Sequence, residues 1–350
     1  MMRIGVLIND FSSLGPRQST AMLALALHLE GHDVRVFSVA DLGMDPDGMV
    51  IARARRARRA PDVPSLVAEV AQDPGEQGPL TAFDFVLSRT NPARDERQGL
   101  QACALQLLEI ATHQGLVVLN DPAGLTRAAS KAYLGLLPDF TRPRTITSAD
   151  RETLRRFVLE LEGPAVLKPA LGTRGVGVFR AERSERNLNQ ILDLLLERGM
   201  VTAQEFIPQA DQGDTRVLVV GGEVLRVEGE PAAVRRVPGH DDFRSNIHAG
   251  GQPAPGTLTP AMERVVEAVG PRLLHDGFFV VGLDFIGDVL CEANVHSPGG
   301  LKDIERFSGR PFARHLARAL VAEAERVRVE RAGEPGAASA AAADERRSAP

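Results

Sequence analysis

Residues 2–8, MRIGVLI, form a short, mostly apolar run with β-branched members that stops at Asn9-Asp10. A run this short, with no polar alternation, suits a strand buried on both faces, and such strands belong to parallel sheets covered by helices. Ser19 to Leu29 carries helical patterning and halts at Gly31, and Asp33 to Val39 (DVRVFSV) reads as a second strand. Strand, helix and strand in this order commit the start of the chain to a doubly wound α/β unit. Phe83 to Ser88 and Leu116 to Asn120 are expected to add strands, with a helix from Leu100 to His113 between them.

The 350 residues leave room for two or three domains and a large core. Hydrophobic residues at 43% and charged residues at 25% describe a soluble globular protein. A net charge of -5 gives no reason to expect a nucleic-acid or membrane partner. No run reaches the roughly 18 apolar residues that span a bilayer, and the start reads as a first strand rather than a signal peptide. Cys103 and Cys291 are too few for a disulfide framework or a zinc site, which fits a reducing cytoplasm. The arginine run Arg53 to Arg59 reads as a solvated helix face or loop before an anion-binding patch, and Pro61 to Pro79 as a surface loop.

From Ala149 the texture changes. A helix over 149–161 leads into a strand from Ala165 to Lys168, a glycine-rich turn and a strand from Val176 to Arg180. A helix (Leu188 to Glu197) and two strands (Thr202 to Ile207, Arg216 to Val220) follow, with a hairpin signal at Gly221-Gly222. Glu263 to His275 is helical, with a kink expected at Gly270-Pro271. Phe278 to Ile286 and Val289 to Val295 form a second hairpin around Gly287-Asp288, and a helix from Phe312 to Val327 closes the fold. Residues 332–350 hold few large apolar groups and are expected to be disordered.

The sharpest chemical signal is Asp284, Glu292 and Asn294 in LDFIGDVLCEANVHSPGG. Glu292 and Asn294 are two apart on a strand and project to one face. A two-residue turn would set Asp284 opposite Cys291, on the wrong face, whereas a three-residue turn sets it opposite Glu292. The longer turn is the expectation, because it gathers two carboxylates and an amide oxygen, hard ligands suited to Mg²⁺ that also binds phosphates. The ordinary alternative is a surface hairpin with a wet acidic face. Asp284→Asn or Glu292→Gln is then expected to abolish turnover with little loss of fold. Ser297-Pro298-Gly299-Gly300 follows as a donor-rich turn, a seat for an anionic substrate.

Lys168 precedes a glycine loop, VLKPALGTRGVGVF, in which Gly172, Gly175 and Gly177 permit close approach to a phosphate. The spacing is neither a Walker loop nor a dinucleotide fingerprint, and a β-hairpin closing over a triphosphate fits it better. The linker VTAQEFIP can offer backbone groups to an adenine edge while Phe206 and Ile207 pack on the ring, although any apolar connecting strand would look the same. Lys131, Arg216, Arg236 and Arg244 make a cationic set, and Arg244 opens RSNIHAGG, where Asn246 and Gly250-Gly251 could line a polar pocket. Hydrolytic chemistry and a catalytic cysteine lack their motifs, and neither His248 nor His296 is favoured as a substrate contact.

Together these segments resemble the ATP-grasp superfamily and, within it, bacterial glutathione synthetase. The resemblance is spread over about 1–325 and rests on RIGVLIND, QSTAMLALALHLEGHDV, VVLNDPAGLTRAASK, VLKPALGTRGVGVF, AQEFIP, GDTRVLVVGGEVL, RSNIHAGG and VGLDFIGDVLCEANVHSP, the last two being the most specific. It implies an N-terminal Rossmann-like α/β (pre-ATP-grasp) domain over 1–125 and a two-lobed α+β ATP-grasp domain. Its small lobe would cover 126–205, its metal-bearing lobe 206–328, and a tail 329–350. It implies that Lys131, Lys168, Gln204, Glu205, Phe206 and Ile207 hold ATP, with Asp214 near the ribose and Arg216 near the phosphates. Asp284, Glu292 and Asn294 would bind two Mg²⁺ (or Mn²⁺), and Arg216, Arg236, Arg244, Asn246 and Ser297 would face the reacting groups.

The implied activity is an ATP-dependent carboxylate–amine ligation through an acyl phosphate, best fitted by joining γ-glutamylcysteine to glycine. A RimK-like ligase for another peptide or protein end and a non-catalytic nucleotide-binding regulator are the alternatives. Family members often form homo-oligomers, and no interface is readable in the sequence. The family's Lys-Asp-Pro-Pro segment is replaced by Thr90-Asn91-Pro92-Ala93 after Arg89, and its Thr before the Ser-Pro turn is His296. Both differences fall where substrate, not ATP, is expected.

Overall fold

A computed structural model describes residues 1–172, 175–239 and 251–333. The N-terminal sheet holds β1 (Arg3–Ile8), β2 (Asp33–Ser38), β3 (Leu42–Met44), β4 (Val50–Arg56), β5 (Glu76–Pro79), β6 (Phe85–Ser88) and β7 (Val117–Leu119). Its order is β3-β4-β2-β1-β6-β7, with β5 beside β4. β1 runs parallel to β2 and β6, and β6 to β7. The helices α1 (Ser19–Leu29), α2 (Val63–Gln72), α3 (Gln98–His113) and α4 (Pro122–Arg127) accompany it. The strand–helix–strand expectation therefore holds. The arginine run, expected as a helix face or loop, and 61–79, expected as a surface loop, differ. The arginine run lies mostly in strand β4, and 61–79 contains α2, whose Asp62 caps the Ser65 N–H. Arg56 pairs with Asp33, and Arg53 donates to Gln77, so the run ties strands together.

A second unit is an antiparallel sheet of four strands: β8 (Thr145–Ser148), β9 (Ala165–Pro169), β10 (Phe179–Ala181) and β11 (Val201–Glu205), in the order β10-β9-β11-β8. The helices α5 (Arg151–Glu160) and α6 (Leu188–Leu196) cover one face and share a core of Leu154, Leu167, Leu192 and Ala203 with it. β10 begins at Phe179, later than the expected Val176, because Gly175 and Gly177 adopt φ of +73° and +70°. Those angles are incompatible with extended L-residue backbone.

The third unit is built on β12 (Asp214–Val220), β13 (Glu223–Val224), β14 (Arg226–Val227), β15 (Glu230–Pro231), β16 (Ala233–Val237) and β17 (Gln252–Pro255). After α7 (Pro260–His275) come β18 (Val280–Ile286) and β19 (Val289–Asn294). The main sheet runs β17-β16-β12-β18-β19, with β13 on β12, while β14 and β15 form a small ribbon. α7 holds Gly270-Pro271 inside one helical span. α8 (Leu301–Ser308), which the sequence did not announce, and α9 (Phe312–Gly333) complete the chain. α9 extends past the expected Val327, and Arg331 donates to the Leu116 carbonyl at 2.8 Å.

One apolar core joins the N-terminal sheet to the third unit: Ile4, Leu23, Phe85, Leu218, Val280, Phe312 and Leu320 belong to it. Asn120 adds polar specificity to that junction. Its amide nitrogen donates to the Val280 and Val295 carbonyls, and its oxygen accepts from the Phe279 and Val280 N–H groups. Among the described residues no helix is long and apolar enough to cross a membrane.

Candidate active site

The β18–β19 hairpin brings the two acids together by a route different from the expected one. Its turn has two residues, since Ile286 pairs with Val289 and Phe285 with Leu290. Gly287, first in the turn, has φ +56°, as a tight hairpin of this kind requires. The register then shifts, and Asp284 pairs with Glu292 and Gly282 with Asn294. Cys291 is the extra residue of a β-bulge, and the bulge does what a longer turn was expected to do. Burial pushes the Cys291 thiol up to about 12, so it is inert as a nucleophile.

Asp284 is 3% exposed and is the hub of an ionic network. Arg216 lies opposite it on β12, and Arg236 on β16 lies opposite Asp214. Arg216 grips Asp284 bidentately, with both distances 2.7 Å, and Arg236 reaches the same carboxylate at 2.8 Å. Arg236 also forms a fork on Asp214 at 2.6 and 2.7 Å. Gly213, at φ +96°, permits this pairing: a Cβ there would lie 2.0 Å from the Arg236 carbonyl oxygen. Burial pushes the Asp284 carboxyl up, but the Arg216 and Arg236 guanidinium groups outweigh it and hold it at about 2. Burial likewise opposes the charge of Arg236, and Asp284 and Asp214 overcome it and raise its pKa. Asn294 donates its amide N–H to Asp284 at 3.0 Å, which leaves its oxygen without a partner among the described residues.

Facing this ribbon are two lysines bonded to neutral acceptors. Lys168, 9% exposed, donates to the Gln204 side-chain oxygen at 2.9 Å, and Lys131 donates to the Gly172 carbonyl at 2.8 Å. Burial lowers the Lys131 pKa, Glu292 raises it and Lys168 lowers it further, so flap and ribbon share one field. Two cations without a paired carboxylate among the described residues, beside a carboxylate ribbon, suit a polyanion bridged by a metal. In the connecting strand, the Glu205 and Phe206 N–H groups are spent on the Arg144 and Pro164 carbonyls. The Ile207 N–H has no partner among the described residues. Arg180 lies over the Phe206 ring at 4.3 Å.

These groups line one cleft of about 510 Å³. Lys131, Lys168, Gly172, Gly175, Gln204, Glu205, Phe206, Ile207, Asp214, Arg216, Arg236, Asp284, Glu292, Asn294 and Ser297 all border it. Gly177 does not; it packs where a Cβ would lie 3.2 Å from Pro169. Arg244 and Asn246 lie outside the described residues. Among those residues no three His, Cys, Asp or Glu side chains converge as a metal cage. Two carboxylates and an amide fit an ion whose remaining ligands are phosphate oxygens and water.

The cleft also holds residues that the sequence reading did not assign to the site. Arg89, Thr20, Gln18, Lys302 and His296 border it. His296 was not favoured as a substrate contact, yet burial lowers its pKa to about 4 and its Nδ1 is buried without a partner. Arg89 could have been flagged because it follows β6 directly, at the strand end where doubly wound sheets bind ligands.

Known proteins similar to this chain are numerous. Residues 2–126 match the prokaryotic glutathione synthetase N-terminal domain, and 130–309 match the prokaryotic glutathione synthetase ATP-grasp domain. The glutathione synthetase of Thermosynechococcus vestitus is 33% identical over 319 residues, covering 88% of this chain and 96% of that protein. That of Brucella melitensis is 32% identical over 318 residues, covering 89% and 96%. The fold is similar to that of the D-cycloserine synthetase DcsG, with a TM-score of 0.63 at 18% identity over 92% of this chain and 99% of that one. Both domain matches and the long stretches of one-third identity lead to one conclusion: the chain belongs to the prokaryotic glutathione synthetase family of ATP-grasp ligases.

Proposed function

We propose that this chain is a glutathione synthase, which phosphorylates the cysteinyl carboxylate of γ-glutamylcysteine with ATP and joins it to glycine. The observation that carries the reading is the pairing of Asp284 with Glu292 across one cleft from Lys131 and Lys168. Lys131 and Lys168 hold nucleotide phosphates, and the Ile207 N–H meets the adenine edge while Phe206 packs on the ring. Gln204 and Glu205 flank that edge, and Asp214 lies toward the ribose. Asp284, Glu292 and Asn294 hold two Mg²⁺ ions, or Mn²⁺ in their place. Bound metal offsets charge on the transferring phosphoryl group. Arg216 turns from Asp284 toward that group, and Arg236, Ser297 and the Arg244–Asn246 segment orient the carboxylate. The glycine loop, Gly172 to Gly177, excludes water from the acyl phosphate.

The two cysteines are free, which suits the cytoplasm where such substrates are reduced. Residues 1–125, 126–205 and 206–328 serve as substrate domain, small lobe and metal-bearing lobe. The test is ADP release with γ-glutamylcysteine and glycine against a panel of other γ-glutamyl peptides and amines. Release only with another pair would reject glutathione in favour of a RimK-like substrate. The segment Thr90-Asn91-Pro92-Ala93, which departs from the family pattern, motivates that second reading. Tight ATP binding with no ADP under any amine would point to a regulator.

A further inference from the structure

Arg89 is 7% exposed and sits at the carboxyl end of β6, yet no acid faces it among the described residues. Its Nε donates to Thr20 Oγ1 at 3.2 Å and one Nη to the Pro298 carbonyl at 2.8 Å. The remaining guanidinium donors have no partner among the described residues. Burial lowers its pKa to about 10, and Arg94 pushes in the same direction. A buried charge in this state is stabilised by any anion that reaches it. The start of α1 points to the same ligand. Gln18 supplies no side-chain cap, and the N–H groups of Ser19 and Thr20 are unpaired among the described residues. Gln18, Ser19, Thr20 and Arg89 all border the cleft, so a positive helix end and a guanidinium meet at one place.

We propose that Arg89, with the open first turn of α1, anchors a substrate carboxylate other than the one that is phosphorylated. The phosphorylated carboxylate belongs to the Arg216–Asp284 side, beyond Pro298. Two groups have the required chemistry, the α-carboxylate of the γ-glutamyl residue and the carboxylate of glycine. The assignment rests on the glutathione reading.

The experiment compares wild type, Arg89→Met and Arg89→Lys in ADP release. One arm replaces γ-glutamylcysteine by γ-aminobutyrylcysteine, which lacks the γ-glutamyl α-carboxylate. The other replaces glycine by glycinamide. Wild type should lose on the order of 10- to 100-fold in kcat/KM with the analogue that lacks the anchored group, through KM more than kcat. Arg89→Met should show a similar loss with the full substrate and no further loss with that analogue. Arg89→Lys, which keeps the charge but not the fork, should fall between them. The arm in which discrimination disappears identifies the carboxylate. Full discrimination against both analogues in Arg89→Met, or wild-type KM for both substrates, overturns the proposal. If Arg89→Met fails to fold, Arg89→Lys carries the same reading. Wild-type silence with γ-glutamylcysteine and glycine would sink the glutathione reading alone. Calorimetric titration of γ-glutamylcysteine and of glycine, with a non-hydrolysable ATP analogue bound, still reads the anchor. Equal affinities for both ligands in wild type and Arg89→Lys would overturn it.

Discussion

Asp284→Asn and Glu292→Gln should behave alike in turnover and differently in stability. Each removes a carboxylate from the proposed metal-binding ribbon, so neither variant should release ADP. The folding consequences separate because Asp284 accepts from Arg216 at 2.7 Å twice and contacts Arg236 at 2.8 Å, whereas Glu292 is in no ion pair among the described residues. Removing one partner of a buried ion pair costs about 3–5 kcal/mol. Asparagine retains one acceptor oxygen and Arg236 keeps Asp214, so the expected loss for Asp284→Asn is about 2–4 kcal/mol. At about 1.4 °C per kcal/mol for a chain of 350 residues, the melting temperature should fall by about 3–5 °C. Glu292→Gln, a partly exposed change that strands no charge, should stay within about 0.5 kcal/mol of wild type. Thermal melts in nucleotide-free, metal-free buffer read the difference directly. Equal melting temperatures would refute the hub.

Lys168→Met should raise the KM for ATP about 10- to 100-fold with little change in melting, because its hydrogen-bond partner is the neutral Gln204 amide; unchanged ATP affinity by calorimetry would remove Lys168 from the nucleotide site. Asn120→Ala strips partners from four backbone groups at the junction of the N-terminal sheet and β18. It should cost about 2–4 kcal/mol in urea unfolding, and a loss below about 1 kcal/mol would contradict the role given to it. Asp95 is held at about 2, below its ordinary 3.8, first by Arg97, against the opposing effect of burial. Its contribution is fully present above pH 3.8 and is lost as pH falls toward about 2. After screening at the half-exposed Arg97 it amounts to roughly 1–2 kcal/mol. Asp95→Asn should therefore flatten the stability profile in that window, and an unchanged slope there would count against the pairing.

The parallel strands, the Gly221-Gly222 hairpin and the acidic ribbon could be read in the sequence because each depends on local pattern. The arginine run was misread although β4 alternates, with Ala52 and Ala54 buried and Arg53 exposed. Alanine is a weak strand former, and its burial depends on the neighbouring strands rather than on its own chemistry. α2 was hidden by Pro64 and the surrounding acids, though Asp62 three residues before Ser65 is a helix start. α8 had no such signal: its N-cap is Gly300 at φ +116°, with no capping side chain. The site itself was legible residue by residue, but not its wiring. The Arg216–Asp284–Arg236–Asp214 network needs three strands in register, and the alignment of Asp284 with Glu292 needs a bulge that no residue in CEAN announces.

The division of apolar cores decides which part of this molecule can move. Ile4, Val280 and Leu320 lie in one continuous interior, so the first domain and the lobe that carries Asp284 form a single base. The four-stranded lobe that carries Lys168 and the glycine loop keeps an interior of its own, with Leu154, Leu192 and Ala203. Among the described residues the apolar cluster of that lobe has no member in the one beneath the first domain, so a swing of the first domain would disrupt more apolar packing than a movement of the lobe. On the proposed function, nucleotide exchange falls to the lobe that carries Lys168, and the proposed carboxylate seat stays with the base while that lobe moves.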